Sequence, residues 1–157
     1  MLDRPNSRRP DFQVVAAVLT HRGRICLLRR SALVSSDAGL WHCVTGYLPQ
    51  AAEPIRQAKL EVAEEAGIAA ACLQAAGAAV LDQRGQDGRL WRIHSFHFRT
   101  ATATINLNWE HDAACWVRPD QMHRLPTVRW FGAVLKALSI DAARPEARLQ
   151  AGYPTPR

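Results

Sequence analysis

The chain has 157 residues, 48% of them apolar and 22% charged, with a formal charge of +6. That length suits one domain with a real core, and that composition excludes a disordered or fibrous chain. No stretch approaches the length of a membrane span, and the opening MLDRPNSRRP lacks the apolar centre of a secretory leader, so neither membrane insertion nor secretion is expected.

The net positive charge permits contact with nucleic acid or polyphosphate but does not require it. Lys59 and Lys136 are the only lysines, and no basic run is interleaved with aromatics. Cys26, Cys43, Cys72 and Cys115 are scattered, with no C-x-x-C pair, and each lies in an apolar segment where a reduced thiol packs as a small hydrophobe. A cytoplasmic location fits this pattern.

Residues 1–10 read as a loose arm. Phe12 to Leu19 and Ile25 to Leu28 are short apolar runs on either side of Thr20-His21-Arg22-Gly23, which predicts a hairpin. A loop over Ser31 to Gly39 precedes WHCVTGYL, which reads as a strand interrupted at Gly46. Pro54 at a first helical turn and Gly67 just past a last one bracket a helix from Pro54 to Ala66. Ala78 to Arg84 and Leu90 to Arg99 flank Gly85-Gln86-Asp87-Gly88 as a second hairpin, and Ala113 to Val117 is a further strand. Val128, Phe131, Val134, Leu135 and Leu138 recur at helical spacing, predicting an amphipathic helix over Val128 to Ile140. Residues 144–157 read as a second loose arm. Mixed strands and two helices far apart in sequence predict an α/β class fold, a mixed sheet covered on both faces in a single α/β/α domain.

On the first helix, Ile55, Ala58, Val62 and Ala66 form a narrow apolar stripe that must face the core. Glu61, Glu64 and Glu65 lie beside it. Three carboxylates at this spacing repel one another by a few tenths of a kcal/mol per pair. A hard divalent cation such as Mg²⁺ or Mn²⁺ would compensate, since it prefers oxygen ligands and is commonly shared between carboxylates and substrate phosphates. The alternative is a solvated acidic helix face.

The surrounding residues bear on that choice. The stretch GYLPQAAEPIRQAKLEVAEEAGI resembles the Nudix box, G-x5-E-x7-R-E-U-x-E-E-x-G-U with U a bulky aliphatic residue. Gly46, Glu61, Val62, Glu64, Glu65, Gly67 and Ile68 match in register. Two positions depart from it: the first glutamate falls on Ala52, with Glu53 one residue late, and the arginine falls on Leu60, with Lys59 one residue early. A shift of one residue turns a helical side chain by about 100°. The paired displacement suggests that the box has reorganised around a leucine packed on apolar neighbours. WHCVTG and NWEHDAACWV also resemble Nudix segments, so the likeness runs from Phe12 to about Ile140.

The resemblance implies a Nudix-type α/β/α sandwich and a metal-dependent hydrolase that cuts a diphosphate linkage in a small nucleotide-like substrate. It implies Glu61 and Glu65 as metal ligands, Glu64 as a ligand or as the group that assists water activation, and the carbonyl near Gly46 as completing the shell. The WEH segment resembles a Glu-His of Nudix enzymes related to dihydroneopterin-triphosphate pyrophosphatase, which makes Glu110 the candidate for an additional catalytic carboxylate. A Nudix-fold sensor that has lost catalysis is the competing reading, favoured by the missing arginine and opposed by retention of all three helix glutamates. An RNA 5′-end pyrophosphohydrolase is a third. Related folds often dimerise, which leaves a homodimer open.

Arg29, Arg30, Arg92 and Arg99 are candidates to fork onto a phosphate, with surface ion pairs as the alternative. Trp91 and Trp109, each beside polar neighbours, are candidates to stack on a base, whereas Trp41 and Trp130 read as core. His42, His94 and His97 match no zinc spacing and read as satisfied strand histidines.

Overall fold

Val14 to Leu19 sends its side chains alternately to two opposite faces, and both faces are apolar. A strand with that pattern must lie at the centre of a sheet covered on both sides. The computed structural model, which describes residues 8–140, places it there. Strand β1 (Phe12–His21) pairs in parallel with β6 (Leu90–Thr100) along one edge. Its other edge is shared by β4 (Val44–Tyr47) and then β2 (Arg24–Arg30), both antiparallel. Beyond β2 lie β3 (Trp41–His42) and β7 (His111–Val117), and β5 (Leu73–Arg84) closes the far side against β6.

The sheet is mixed and has helices on both faces. Val14, Ala16 and Val18 pack with Ile25, Leu27 and Ile93 against α2 (Phe131–Ala137), which contributes Phe131, Val134 and Leu135. Val15, Ala17 and Leu19 pack with Cys26, Leu28 and Phe98 against α1 (Pro54–Ala66), which contributes Ala58, Val62 and Ala66. This is the α/β/α sandwich the pattern predicts.

The first hairpin turns on Arg22 and Gly23, both with positive φ (50° and 76°), the two-residue turn whose twist matches its strands. Helix α1 starts on Pro54 and ends at Gly67, whose φ of 68° lets its N–H reach the Ala63 carbonyl at 3.1 Å.

Three boundaries differ from expectation. The break in WHCVTGYL falls at Cys43, and Gly46 lies inside β4, paired with Val15. Strand β5 begins at Leu73 rather than Ala78, because pairing with β6 carries its alanine-rich first half into the sheet against a weak local preference. Helix α2 starts three residues later than expected. Trp41 bridges Thr127, and the Val128 N–H donates to the Trp41 carbonyl at 3.0 Å, so that segment is extended and lies against β3. The arms expected at residues 1–10 and 144–157 lie outside the described residues, apart from residues 8–10.

Candidate active site

Helix α1 sets the site because its stripe is narrow. Ala58, Val62 and Ala66 are fully buried, and Glu65, the residue before Ala66, is carried in with them at 1% exposure. Glu61 is half-buried one turn earlier, and Glu64 is exposed. Neither Glu65 carboxyl oxygen makes a hydrogen bond of good geometry, although the Glu61 carboxyl and the Thr45 backbone stand close enough to act on it. Burial, then the negative fields of Glu110 and Glu61, push its pKa up to about 10. Leaving such a group unpaired costs on the order of 1–3 kcal/mol, so the sequence retains it against its own stability.

Glu61 lies over the backbone of β4. A Cβ built on Gly46 would overlap the Glu61 carboxyl carbon and Oε1 and stand 2.7 Å from its Cγ. Gly46 therefore serves close approach rather than an unusual backbone angle. Gln57, one turn earlier on α1, donates its amide to Glu61 Oε1 at 3.0 Å. Burial raises the Glu61 carboxyl above the usual range, the Gln57 hydrogen bond opposes that rise, and Glu64 and Glu110 reinforce it.

The third component arrives from the segment before β7. The Asn106 N–H caps the Ala66 carbonyl at 2.9 Å, and Gly67 leaves room for it, since a Cβ there would meet Asn106 Cβ at 2.7 Å. Ser31 then clamps the approach to the strand, its hydroxyl donating to the Trp109 carbonyl at 2.8 Å and its N–H to the Glu110 carbonyl at 2.8 Å. The segment is thereby held to both α1 and the end of β2. As a result Glu65, Glu110 and His111 each offer a ligand atom within 4.8 Å of the others.

His111 is 4% exposed, and its Nδ1, without a hydrogen bond, lies 3.8 Å from Glu65 Oε1. Burial and the nearby Arg30 guanidinium lower its pKa to about 4, so this contact joins a neutral ring to a neutral acid and is no ion pair. His111, the second residue of the Glu-His in the WEH segment, opens β7 and faces inward.

The remaining candidates divide. Arg29 donates to Asp112 Oδ1 at 2.6 Å, and Arg92 holds Asp82 through two hydrogen bonds of 2.9 and 3.1 Å, so both guanidiniums already have carboxylate partners. Arg30 has no carboxylate partner among the described residues; its Nε donates to the Ser36 carbonyl, and its charge reaches both His42 and His111. Trp91 stacks on Phe12 with centroids 4.3 Å apart, while Trp109, beside Glu110, is 62% exposed. His94 is hydrogen-bonded to Gln13 and His97 to Thr20. His42 is buried with both ring nitrogens unpartnered, edge-on to Trp130. The four cysteines are free.

The reorganised box takes a different form from the one expected. Leu60 does not pack; it is 54% exposed. Neither Glu53 nor Lys59 forms an ion pair among the described residues. The contact that holds Glu61 comes from Gln57, which sequence reading passed over although it stands at the i, i+4 spacing where helix side chains meet.

An orphaned buried carboxyl, a second carboxylate pressed against bare backbone and a third held alongside form a donor set suited to a hard divalent cation, which would neutralise the fields that hold the Glu65 proton. Among the described residues, no helix is long and apolar enough to cross a membrane.

Comparison with known proteins agrees with this architecture. The NUDIX domain pattern matches residues 10–138. The solution structure of the E. coli ORF135 protein is similar at 26% identity and a TM-score of 0.67, covering 90% of this chain and 99% of that one. A MutT NUDIX hydrolase from Burkholderia pseudomallei is similar at 23% identity and a TM-score of 0.68, covering 83% and 99%. A C. elegans Ap4A hydrolase binary complex shares the fold at 16% identity and a TM-score of 0.67, covering 90% and 99%. No curated protein sequence matches the chain significantly. With a box in register, a glutamate-bearing helix under a mixed sheet and a family match spanning nearly every described residue, the chain belongs to the NUDIX domain family.

Proposed function

We propose that this NUDIX-family chain is a hydrolase that cleaves a diphosphate linkage in a nucleoside diphosphate-X or nucleoside triphosphate-like substrate, with a divalent cation, Mg²⁺ or Mn²⁺, held by Glu61, Glu65 and Glu110 beside the Gly46 backbone. The observation that carries this reading is Glu65, whose two oxygens are buried without a partner while two further carboxylates converge on them. A bound divalent ion supplies charge neutralisation for phosphate oxygens and acidifies water.

The chain's own groups do the rest. Glu65 would hold the ion as an anionic anchor, and Gln57 fixes Glu61 through the amide it donates to Oε1. Glu64, exposed on the same helix, accepts the proton of the attacking water. Arg30, free of a carboxylate partner at the end of β2, receives the phosphate charge. Trp109 stands exposed on a pinned backbone, where it can stack on a flat group.

The test is incubation with Mg²⁺ or Mn²⁺ and a panel of nucleoside triphosphates, dinucleoside polyphosphates, ADP-ribose and triphosphorylated RNA, with products identified by mass. Dinucleoside polyphosphates belong in the panel because one structural neighbour is an Ap4A hydrolase, and ADP-ribose because another is the NUDIX domain of Shewanella oneidensis NrtR complexed with it. Metal-dependent release of two phosphate-bearing products from one substrate is expected. Tight nucleotide binding with no product from any of them would favour the sensor reading.

A further inference from the structure

His111 has a buried nitrogen for which the fold supplies no partner, at a point where the strand has been rerouted. Ala113 pairs with Arg29 but His111 pairs with Arg30, so two residues of β7 are passed for one of β2. Such a bulge turns the following side chain to the other face. Cys115 packs into the α2 side, and plain alternation would send Ala113 and His111 after it. Instead His111 stands against Glu65 of α1, and the extra residue, Asp112, is turned outward to Arg29.

We propose that His111 ligates the metal through Nδ1 alongside Glu65 and Glu110, making a mixed imidazole–carboxylate centre that binds Mn²⁺ in preference to Mg²⁺. The inference rests on the reading of this cluster as a metal site and adds to it the nitrogen donor and the choice of ion. A purely structural histidine here would hydrogen-bond Glu65, which needs a separation of about 2.7–3.2 Å; the atoms are 3.8 Å apart. Two donor atoms each about 2.1 Å from one ion lie at most about 4.2 Å apart, so the His111–Glu65 pair lies within reach of one ion, and Glu110, with its ligand atom within 4.8 Å of both, would close in on loading. Imidazole favours first-row transition ions, whereas Mg²⁺ is served by oxygen donors and water.

The deciding measurement is electron spin-echo modulation on the Mn²⁺-loaded protein, prepared with natural-abundance and with ¹⁵N-labelled histidine. Expected are couplings of a directly bound imidazole nitrogen that change with the label and vanish in His111→Gln. That variant should also weaken Mn²⁺ binding by about tenfold or more, with a change of less than about threefold for Mg²⁺. Mn²⁺ bound with no histidine nitrogen coupling, or a coupling that survives His111→Gln, overturns the inference while leaving the metal site in place. Failure of Mn²⁺ to bind at all overturns both. Should His111→Gln not fold, His111→Asn takes its place, and absence of any histidine coupling in the labelled wild-type protein overturns the inference by itself.

Discussion

The two faces of the sheet are built from the same strands and serve different ends. Against α2, Val14, Ala16 and Val18 meet Phe131, Val134 and Leu135, apolar on apolar. Against α1, Val15, Ala17 and Leu19 meet Ala58, Val62 and Ala66 in the same way, but the layer then continues into Glu65 and His111, buried and without hydrogen-bond partners. The first face gathers no carboxylates, although the Ser95 hydroxyl beside Ala16 and the His42 ring edge-on to Phe131 are buried there without hydrogen-bond partners. The second loses stability at its edge, where α1 and the segment before β7 bring carboxylates together beside β4. Substitution on the two faces should therefore have opposite signatures.

The largest separation is expected between Glu65→Gln and Leu135→Ala. Removing the Glu65 charge should lower turnover by about 10²–10³-fold, since several kcal/mol of transition-state stabilisation is tied to the bound ion. The metal-free protein should at the same time melt higher near neutral pH, because an amide folds without the proton that Glu65 must take up on burial beside Glu110 and Glu61. Leu135→Ala should destabilise by about 2–5 kcal/mol and leave metal affinity unchanged. Calorimetric titration with Mn²⁺ and thermal melts in chelator check both; a lower melting temperature for Glu65→Gln in chelator would break the contrast.

Gly46→Ala sharpens the comparison within the α1 face. The added methyl meets the end of a flexible glutamate rather than backbone, so Glu61 can swing aside and the fold should keep its stability to within about 1 kcal/mol. Its orientation cannot be kept, so metal affinity and turnover should fall by about 10–100-fold. Equal losses of stability and activity would make Gly46 a packing position only.

How far the sequence showed this can be judged from particular residues. Both sheet faces were legible because β1 alternates between them and each helix has a stripe. Glu61, Glu64 and Glu65 stood out through spacing, but periodicity could not show that Glu65 is the buried one of the three, which depends on how α1 rolls against β4. His111 was not legible, because a bulge reverses the face that alternation assigns. Gln57 carried a usable signal, its i, i+4 relation to Glu61, at a position outside the box pattern. Arg29 and Arg92 show another limit: their aspartate partners are set by strand register, which no local pattern displays.

Smaller in size is the pH dependence of the metal-free protein. Folded, Glu65 keeps its proton up to about 10, against an ordinary value of 4.5. Over that interval the folded state binds more protons, and stability falls as pH rises. His42 and His111 act in the opposite sense. Burial, then Arg30, hold them down to about 3 and about 4 from 6.5, so their contribution is present above 6.5 and is lost as pH falls below it. Urea melts in chelator should therefore show greatest stability near pH 6.5, with slopes of no more than about 1.4 kcal/mol per pH unit for each group. A saturating divalent cation displaces the Glu65 proton and should abolish the alkaline decline. A decline that persists unchanged with metal would mean that Glu65 does not face it.

The smallest effect is expected at Leu60, the position where the box departs from its family. A leucine packed into a reorganised core would make Leu60→Arg damaging, but this side chain is 54% exposed on α1. Arginine and leucine have similar helix propensity, so the backbone has little reason to object. The new guanidinium would stand one turn before Glu64, an exposed i, i+4 pair worth a few tenths of a kcal/mol. It has no vacancy to fill at Glu61, because Gln57 already donates there. Melting temperature should move by less than about 2 °C and turnover by less than about twofold. Made in a Gln57→Ala background, where Glu61 has lost its donor, the same substitution gains a purpose and should recover part of the lost turnover. A large gain in the wild-type background would show instead that Gln57 holds Glu61 only loosely and that the departure at Leu60 has weakened the site.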